Sequence, residues 1–348
     1  YKQWYVPNNM AICMSGDLDP DETIAMIDKY FGSLKPNPEL PKLDLPKEDP
    51  ITAPIVKEVL GPDAESVALA WRFPGASSKD FEILQVVSQV LYNGQAGLID
   101  LNLNQQQKVL NSYGYPMGLA DYSALILGGQ PKQGQTLEEV KDLLLSEIKK
   151  LRTGEFDEKM LQANFKLNEL QSMESNEGRA DMFVNSFIDG TNWEDEVTAI
   201  DRMAKLTKED IAAFANQYLK EDNYAVIYKK QGKDPNEKKM TKPEITPIVS
   251  NRDVTSPFLT SIQESVVKPI EPVFLNFKKD MSQLTAKSDI PVLYKQNVAN
   301  DLFQLIYVFD MGNNNDKALG TAFDYLEYLG TSDMTPEELK SEFYRLAC

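Results

Sequence analysis

Ser66-Val-Ala-Leu-Ala-Trp-Arg-Phe73 reads as a β-strand, and the elements around it decide the fold class. A weaker strand precedes it at 55–60, and Ser123-Ala-Leu-Ile-Leu127 reads as a buried strand. Gly128-Gly129 and Pro131 close that strand, the glycines letting the chain turn. Helical patterns occupy 79–92 and 96–109. Thr136 caps a long helix whose apolar face is Leu137, Val140, Leu144, Ile148 and Leu151. Further helical patterns run over 157–189 and 193–204. Thr207 caps one more, with Ile211, Phe214, Ala215 and Tyr218 on one face, and Asn223-Tyr-Ala-Val-Ile-Tyr228 is a closing strand.

Upstream, residues 9–15 read as a buried strand in which Cys13 is a small buried hydrophobe. Asp19 and Glu22 form a capping pattern for a helix that carries Ile24, Ile27 and Phe31 on one face and ends at Gly32. Six prolines (Pro36, Pro38, Pro41, Pro46, Pro50, Pro54) make 33–54 an extended connector. The interleaving predicts an α/β or α+β domain over 1–230. Composition then shifts to Lys, Pro, Glu, Thr and Ser, which predicts a linker over 231–274. A second onset occupies 275–348: strands at Ile290–Tyr294 and Phe303–Phe309, a Gly-Asn loop at 312–315, and a helix near 317–329. Thr335-Pro-Glu-Glu338 starts a final helix that runs to the last residue, Cys348. A first residue Tyr1 and an unfinished last helix lead us to expect a fragment of a longer polypeptide.

The 348 residues include no histidine. That excludes a Ser-His-Asp triad, a Cys-His pair and a histidine zinc site within the chain. Net charge is −17, which argues against nucleic acid or an anionic membrane as partner, since both need a basic face. No window is long and apolar enough for a transmembrane helix, so membrane insertion is not expected. Two cysteines do not make a disulfide framework.

The most telling cluster is Leu319-Gly-Thr-Ala-Phe-Asp324-Tyr-Leu-Glu327-Tyr328. Helical spacing places Asp324, Glu327 and Tyr328 on one face. Histidines in place of Asp324 and Tyr328 would give H-x-x-E-H, the inverted zinc motif. Two carboxylates and a tyrosine are a poor zinc set, and a solvated helix face is the plainer reading. Other motifs resolve to plain readings as well. Asp17, Asp19 and Asp21 mimic a calcium loop but have Glu22 where glycine is needed, so helix capping is favoured. Ser146 and Lys149 have S-x-x-K spacing on a strongly charged, solvated helix face beside Glu147 and Lys150. Tyr113, Tyr115 and Tyr122 flank a glycine-rich stretch, either lining a peptide groove or half-buried in a sheet.

With the stretches Tyr5-Val-Pro-Asn-Asn-Met10, Gly16-Asp-Leu-Asp19, Tyr30-Phe-Gly32 and Leu206-Thr-Lys-Glu-Asp-Ile211, that helix resembles the inverted-zincin metallopeptidases of the pitrilysin and insulin-degrading enzyme type, which include the mitochondrial processing peptidases. The resemblance spans most of 1–230 and 275–348. It implies a two-layer fold: a mixed, largely antiparallel sheet covered by helices on one face, followed by the start of a second similar domain. It further implies that 1–230 corresponds to the family's inactive second domain, 231–274 to the link between halves, and 275–348 to a truncated third domain. Asp324, Glu327 and Tyr328 would be degenerate zinc-motif positions, and the family's further glutamate ligand would fall beyond Cys348. Zinc and catalysis would then belong to the full-length protein, a zinc metalloendopeptidase, with this chain alone inactive and shaping the chamber for peptide substrate. The alternative is a non-catalytic homologue acting as a binding or assembly subunit; an intact or degenerate motif upstream discriminates the two. An unfinished third domain leads us to expect packing on the rest of the polypeptide or a partner copy. Bacterial members of the family are often exported, which leans the location toward the periplasm.

Overall fold

The computed structural model of the chain describes residues 1–161, 165–235, 240–248, 250 and 252–348. The expected helix over 157–189 and linker over 231–274 lie partly outside those residues. The described chain forms two compact units, 1–234 with 306–348, and 235–305.

In the first unit the order is α1 (Pro20–Phe31), β1 (Ile55–Gly61), β2 (Ser66–Pro74), α2 (Lys79–Leu91), β3 (Asn111–Gly118), β4 (Tyr122–Gln130) and α3 (Leu137–Thr153). Then follow α4 (Phe165–Ser172), α5 (Asn176–Asp189), α6 (Trp193–Val197), α7 (Ala199–Met203), α8 (Lys208–Tyr218) and β5 (Tyr224–Gln231). The five strands form one sheet in the order β1-β5-β2-β4-β3. Among the described strands of this sheet only β1 with β5 is parallel; the β2–β5, β2–β4 and β3–β4 pairs are antiparallel. This is the mixed, largely antiparallel α+β layer that the family resemblance implies.

Alternation along the strands builds the core. Val67, Leu69, Trp71 and Phe73 of β2 face the helices with Leu125 and Leu127 of β4 and Val226 of β5, all buried. Against them lie Leu84, Val87 and Leu91 of α2, Val140, Leu144 and Leu151 of α3, and Ile211 and Phe214 of α8. Each fully buried large side chain contributes roughly 1.5–3 kcal/mol. The Trp71 indole N–H donates to the Lys220 carbonyl at 3.2 Å, so its one polar atom is satisfied. The predicted caps form: Asp19 accepts from the Glu22 N–H, and Thr136 with Glu139 makes a reciprocal capping box.

Several expectations are corrected. Residues 9–15 are not a buried strand. Pro7–Asn9 forms a 3₁₀ turn, Met10, Ile12 and Met14 are exposed, Cys13 is half-buried, and no described strand pairs with the segment. The 96–109 pattern yields only a π-helical turn over Asp100–Gln105. Gly128 and Gly129 lie within β4, where the Tyr113 ring packs so closely that a Cβ on Gly128 would sit 2.3 Å from it. Strand β3 was not anticipated, because Gly114, Pro116 and Gly118 hide it. Residues 303–309 are exposed and form no strand, lacking a ladder partner.

The described residues of the second unit include α9 (Pro257–Gln263) and an antiparallel hairpin of β6 (Ser282–Thr285) and β7 (Pro291–Tyr294). Returning to the first unit, α10 (Ala318–Tyr325) precedes α11 (Pro336–Leu346), whose Thr335 makes the predicted capping box with Glu338. Tyr344 of α11 is buried against Ala96 and Met160, and its hydroxyl donates to the Met160 carbonyl at 3.3 Å.

Candidate functional site

Among the described residues the sheet has one face under helices and one without. On the open face Ala68 is paired with Gly128 of β4 and Ile227 of β5, Ala70 with Ile126 and Ala225, and Arg72 with Ala124, so the floor mixes small side chains with two isoleucines. Tyr113 and Tyr115 rise from β3 with rings stacked at 6.1 Å. At the other end Tyr122 and Arg72 are diagonal neighbours on β4 and β2, with the guanidinium 5.1 Å from the centre of the tyrosine ring. Period-two geometry dictates this split: Arg72 lies between Trp71 and Phe73 in sequence, so it must point away from the core that they enter.

Residues 46–50 cross this end of the face. The Glu48 N–H donates to the Tyr122 hydroxyl at 2.8 Å, and the Arg72 guanidinium donates to the Asp49 carbonyl. Of the tyrosines singled out in the sequence, all three therefore sit on one face, half-buried or exposed. Arg72 was missed; its alternation with Trp71 and Phe73 was the signal.

The outer edge of β3 is blocked. The Asn104 carboxamide accepts the Ser112 N–H at 2.9 Å and donates to the Ser112 carbonyl at 2.8 Å, standing in for a neighbouring strand.

The zinc-motif positions lie elsewhere. Asp324 is on α10, while Glu327 and Tyr328 are on a following 3₁₀ turn, Leu326–Tyr328. All three are exposed, and the Lys340 ammonium is 3.8 Å from the Glu327 carboxylate. Among the described residues no three His, Cys, Asp or Glu side chains are grouped to hold a metal. Two solvated carboxylates, a phenol and a nearby cation do not fit zinc's preference for nitrogen and sulfur donors.

Two buried carboxylates are structural. Asp100 accepts N–H groups from Asn93, Gly94 and Gly97 at 2.9, 3.1 and 2.9 Å, fixing the turn after α2. Burial nonetheless pushes its carboxyl up, against those bonds and the Lys340 charge. Glu147 is buried rather than solvated, held by Lys150 at 2.9 Å and the Asn102 amide at 2.7 Å. Ser146 donates to the Leu143 carbonyl at 2.6 Å, so Ser146 and Lys149 make no nucleophile pair. Burial, followed by the Asp80 carboxylate it donates to, pushes the Tyr218 phenol up to about 12. A cavity of 380 Å³ between α11 and the body, and one of 720 Å³ among α2 and α4–α7, are both lined by residues of the helical layer, none from the open face.

Residues 1–164 match the family model described as "Peptidase M16 inactive domain". The zinc protease PqqE of Helicobacter pylori (strain ATCC 700392 / 26695) is 25% identical over 236 residues, covering 65% of this chain and 52% of the relative. A protease from Helicobacter pylori has a similar fold, with TM-score 0.58 and 21% identity over 62% of this chain and 54% of that one. The periplasmic protease PqqL from Escherichia coli aligns with TM-score 0.50 and 13% identity over 98% of this chain and 41% of that one. The chain thus spans about half the length of the curated relative it matches. Residues 1–164 thus match the peptidase M16 inactive domain, the chain is homologous to the zinc protease PqqE, and its fold is shared with the protease from Helicobacter pylori.

Proposed function

We propose that this chain is the non-catalytic part of a zinc-dependent metalloendopeptidase and forms a wall of its peptide chamber. The supporting observation is the helix-free sheet face. A sheet of this size normally covers both apolar faces or makes one polar; here one is lined by alanines, Ile126, Ile227 and tyrosines, a surface suited to an extended peptide. The zinc and the water it activates would belong to another part of the same polypeptide, with which this chain pairs. The match to an inactive domain and the unsuitable donor set at Asp324, Glu327 and Tyr328 support that division.

In this reading 1–230 is the wall domain, 231–274 joins the halves, and 275–348 opens a following domain whose helix α11 packs back on the first. Asp324, Glu327 and Tyr328 occupy degenerate zinc-motif positions. The periplasm is the proposed location, supported by the description of PqqL as a periplasmic protease. Light scattering tests the accompanying proposal that the isolated chain self-associates through its exposed apolar segments. The functional test is reconstitution with a zinc-bearing half of an M16 protease relative. Peptide cleavage should appear only in the mixture and vanish with chelator. Equal cleavage by the zinc-bearing half alone would refute a role for this chain.

A further inference from the structure

We propose that the open sheet face grips an extended polypeptide by its backbone through the Arg72 guanidinium and the Tyr122 hydroxyl, and that residues 46–50 occupy this grip as an intramolecular competitor. The proposal rests on the chamber-wall reading and adds the gripping residues, the mode of recognition and the occupant.

The argument starts from a peptide segment that is already seated. Pro46-Lys-Glu-Asp-Pro50 meets the face through one backbone N–H, that of Glu48, and one backbone carbonyl, that of Asp49. Both contacts are to groups that almost every residue carries, so the grip does not read side chains. The two gripping groups are preorganised. Arg72 stacks on the Tyr122 ring, and the register of β2 on β4 fixes their separation. Prolines at both ends hold the strap extended, since the residue before each proline is driven to the β region. Beyond the strap Ala124, Ala70 and Ile126 continue the open face toward Tyr115, while the Tyr113 ring lies over Gly128 and closes that end. The strap holds only the end of the face, so a longer peptide makes more contacts and can displace it. Intramolecular attachment sets a high effective concentration, which any ligand must overcome.

The test uses the 348-residue chain and a fluorescein-labelled, unstructured 12-residue peptide of Ala, Ser and Gln, read by fluorescence anisotropy without zinc. Glu48→Pro removes the N–H that Tyr122 accepts and should release the strap, tightening binding about tenfold. In that background Tyr122→Phe and Arg72→Met should each weaken binding about tenfold, with thermal melts unchanged. A scrambled peptide should bind equally, and one N-methylated at alternate amides should not bind. Glu48→Pro without gain, Arg72→Met and Tyr122→Phe without loss, or discrimination between scrambled sequences would overturn the proposal. Since no cleavage is measured, backbone-dependent binding with failed reconstitution would uphold the grip and remove the peptidase reading. Successful reconstitution with no binding here would do the reverse.

Discussion

The two faces of the same five strands differ in kind. One carries Val67, Leu69, Trp71 and Phe73 into a core sealed by α2, α3 and α8; the other carries Ala68, Ala70 and Arg72, interleaved with them, into the open. A single strand thus supplies stability on odd positions and presents Ala68, Ala70 and Arg72 to the open face on even ones. The covered face needs volume and shape, because interiors are close-packed. The open face needs low relief and a few polar groups. Substitutions on the two faces should therefore have opposite signatures.

Trp71→Ala is the largest break on the covered side. It empties a fully buried site beside Tyr224, whose ring lies 5.3 Å away, and should cost about 3–5 kcal/mol in urea unfolding of the first unit. A loss below about 1 kcal/mol would mean that the covered face does not carry the fold. Asn104→Ala probes the border between the faces. It strips the Ser112 backbone groups of their partners at the β3 edge and should cost about 1–3 kcal/mol, with concentration-dependent aggregation.

Asp100→Asn comes next and acts through pH. Burial raises the folded-state pKa of Asp100, so the folded state binds the proton more tightly than the unfolded chain. Its contribution to stability is full below the unfolded-state value and is lost as pH rises through the raised folded value. Asparagine keeps an acceptor for the three N–H groups and carries no charge. The variant should therefore lose this fall in stability between acid and neutral pH, as read by melting temperature across a pH series; an unchanged pH slope would contradict it. The smallest stability effect belongs to the open face. Ala124→Leu adds bulk at a half-buried position between Arg72 and Met117, on the face that no described helix covers, and should shift stability by less than about 0.5 kcal/mol, while obstructing peptide binding. A large destabilisation would show that this face is packed after all.

Much of this division was legible in the sequence. The α3 helix was readable because its Thr136 cap and five apolar positions agree, and all five are buried in the structure. The two best strands, β2 and β4, were readable because they are central, apolar and long. What hid was at the margins. Glycines and a proline mask β3, whose pairing comes from β4 rather than from its own propensity. Residues 9–15 and 303–309 have strand composition but no partner, and a strand exists only where another chain segment completes its hydrogen bonds. The tyrosines of the open face were noticed without their setting, because strand pairing, not spacing in sequence, brings Tyr122 to Arg72. The closing prolines of 46–50 announced an extended connector but not where it lies.

The central claim is that this chain holds peptide without cutting it. The most direct measurement incubates the purified chain with an unstructured peptide and added zinc, then examines the bound and free peptide by mass spectrometry, with and without chelator. The account predicts intact peptide in both arms, with a fraction retained by the protein. Chelator-sensitive fragments from this chain alone would contradict it.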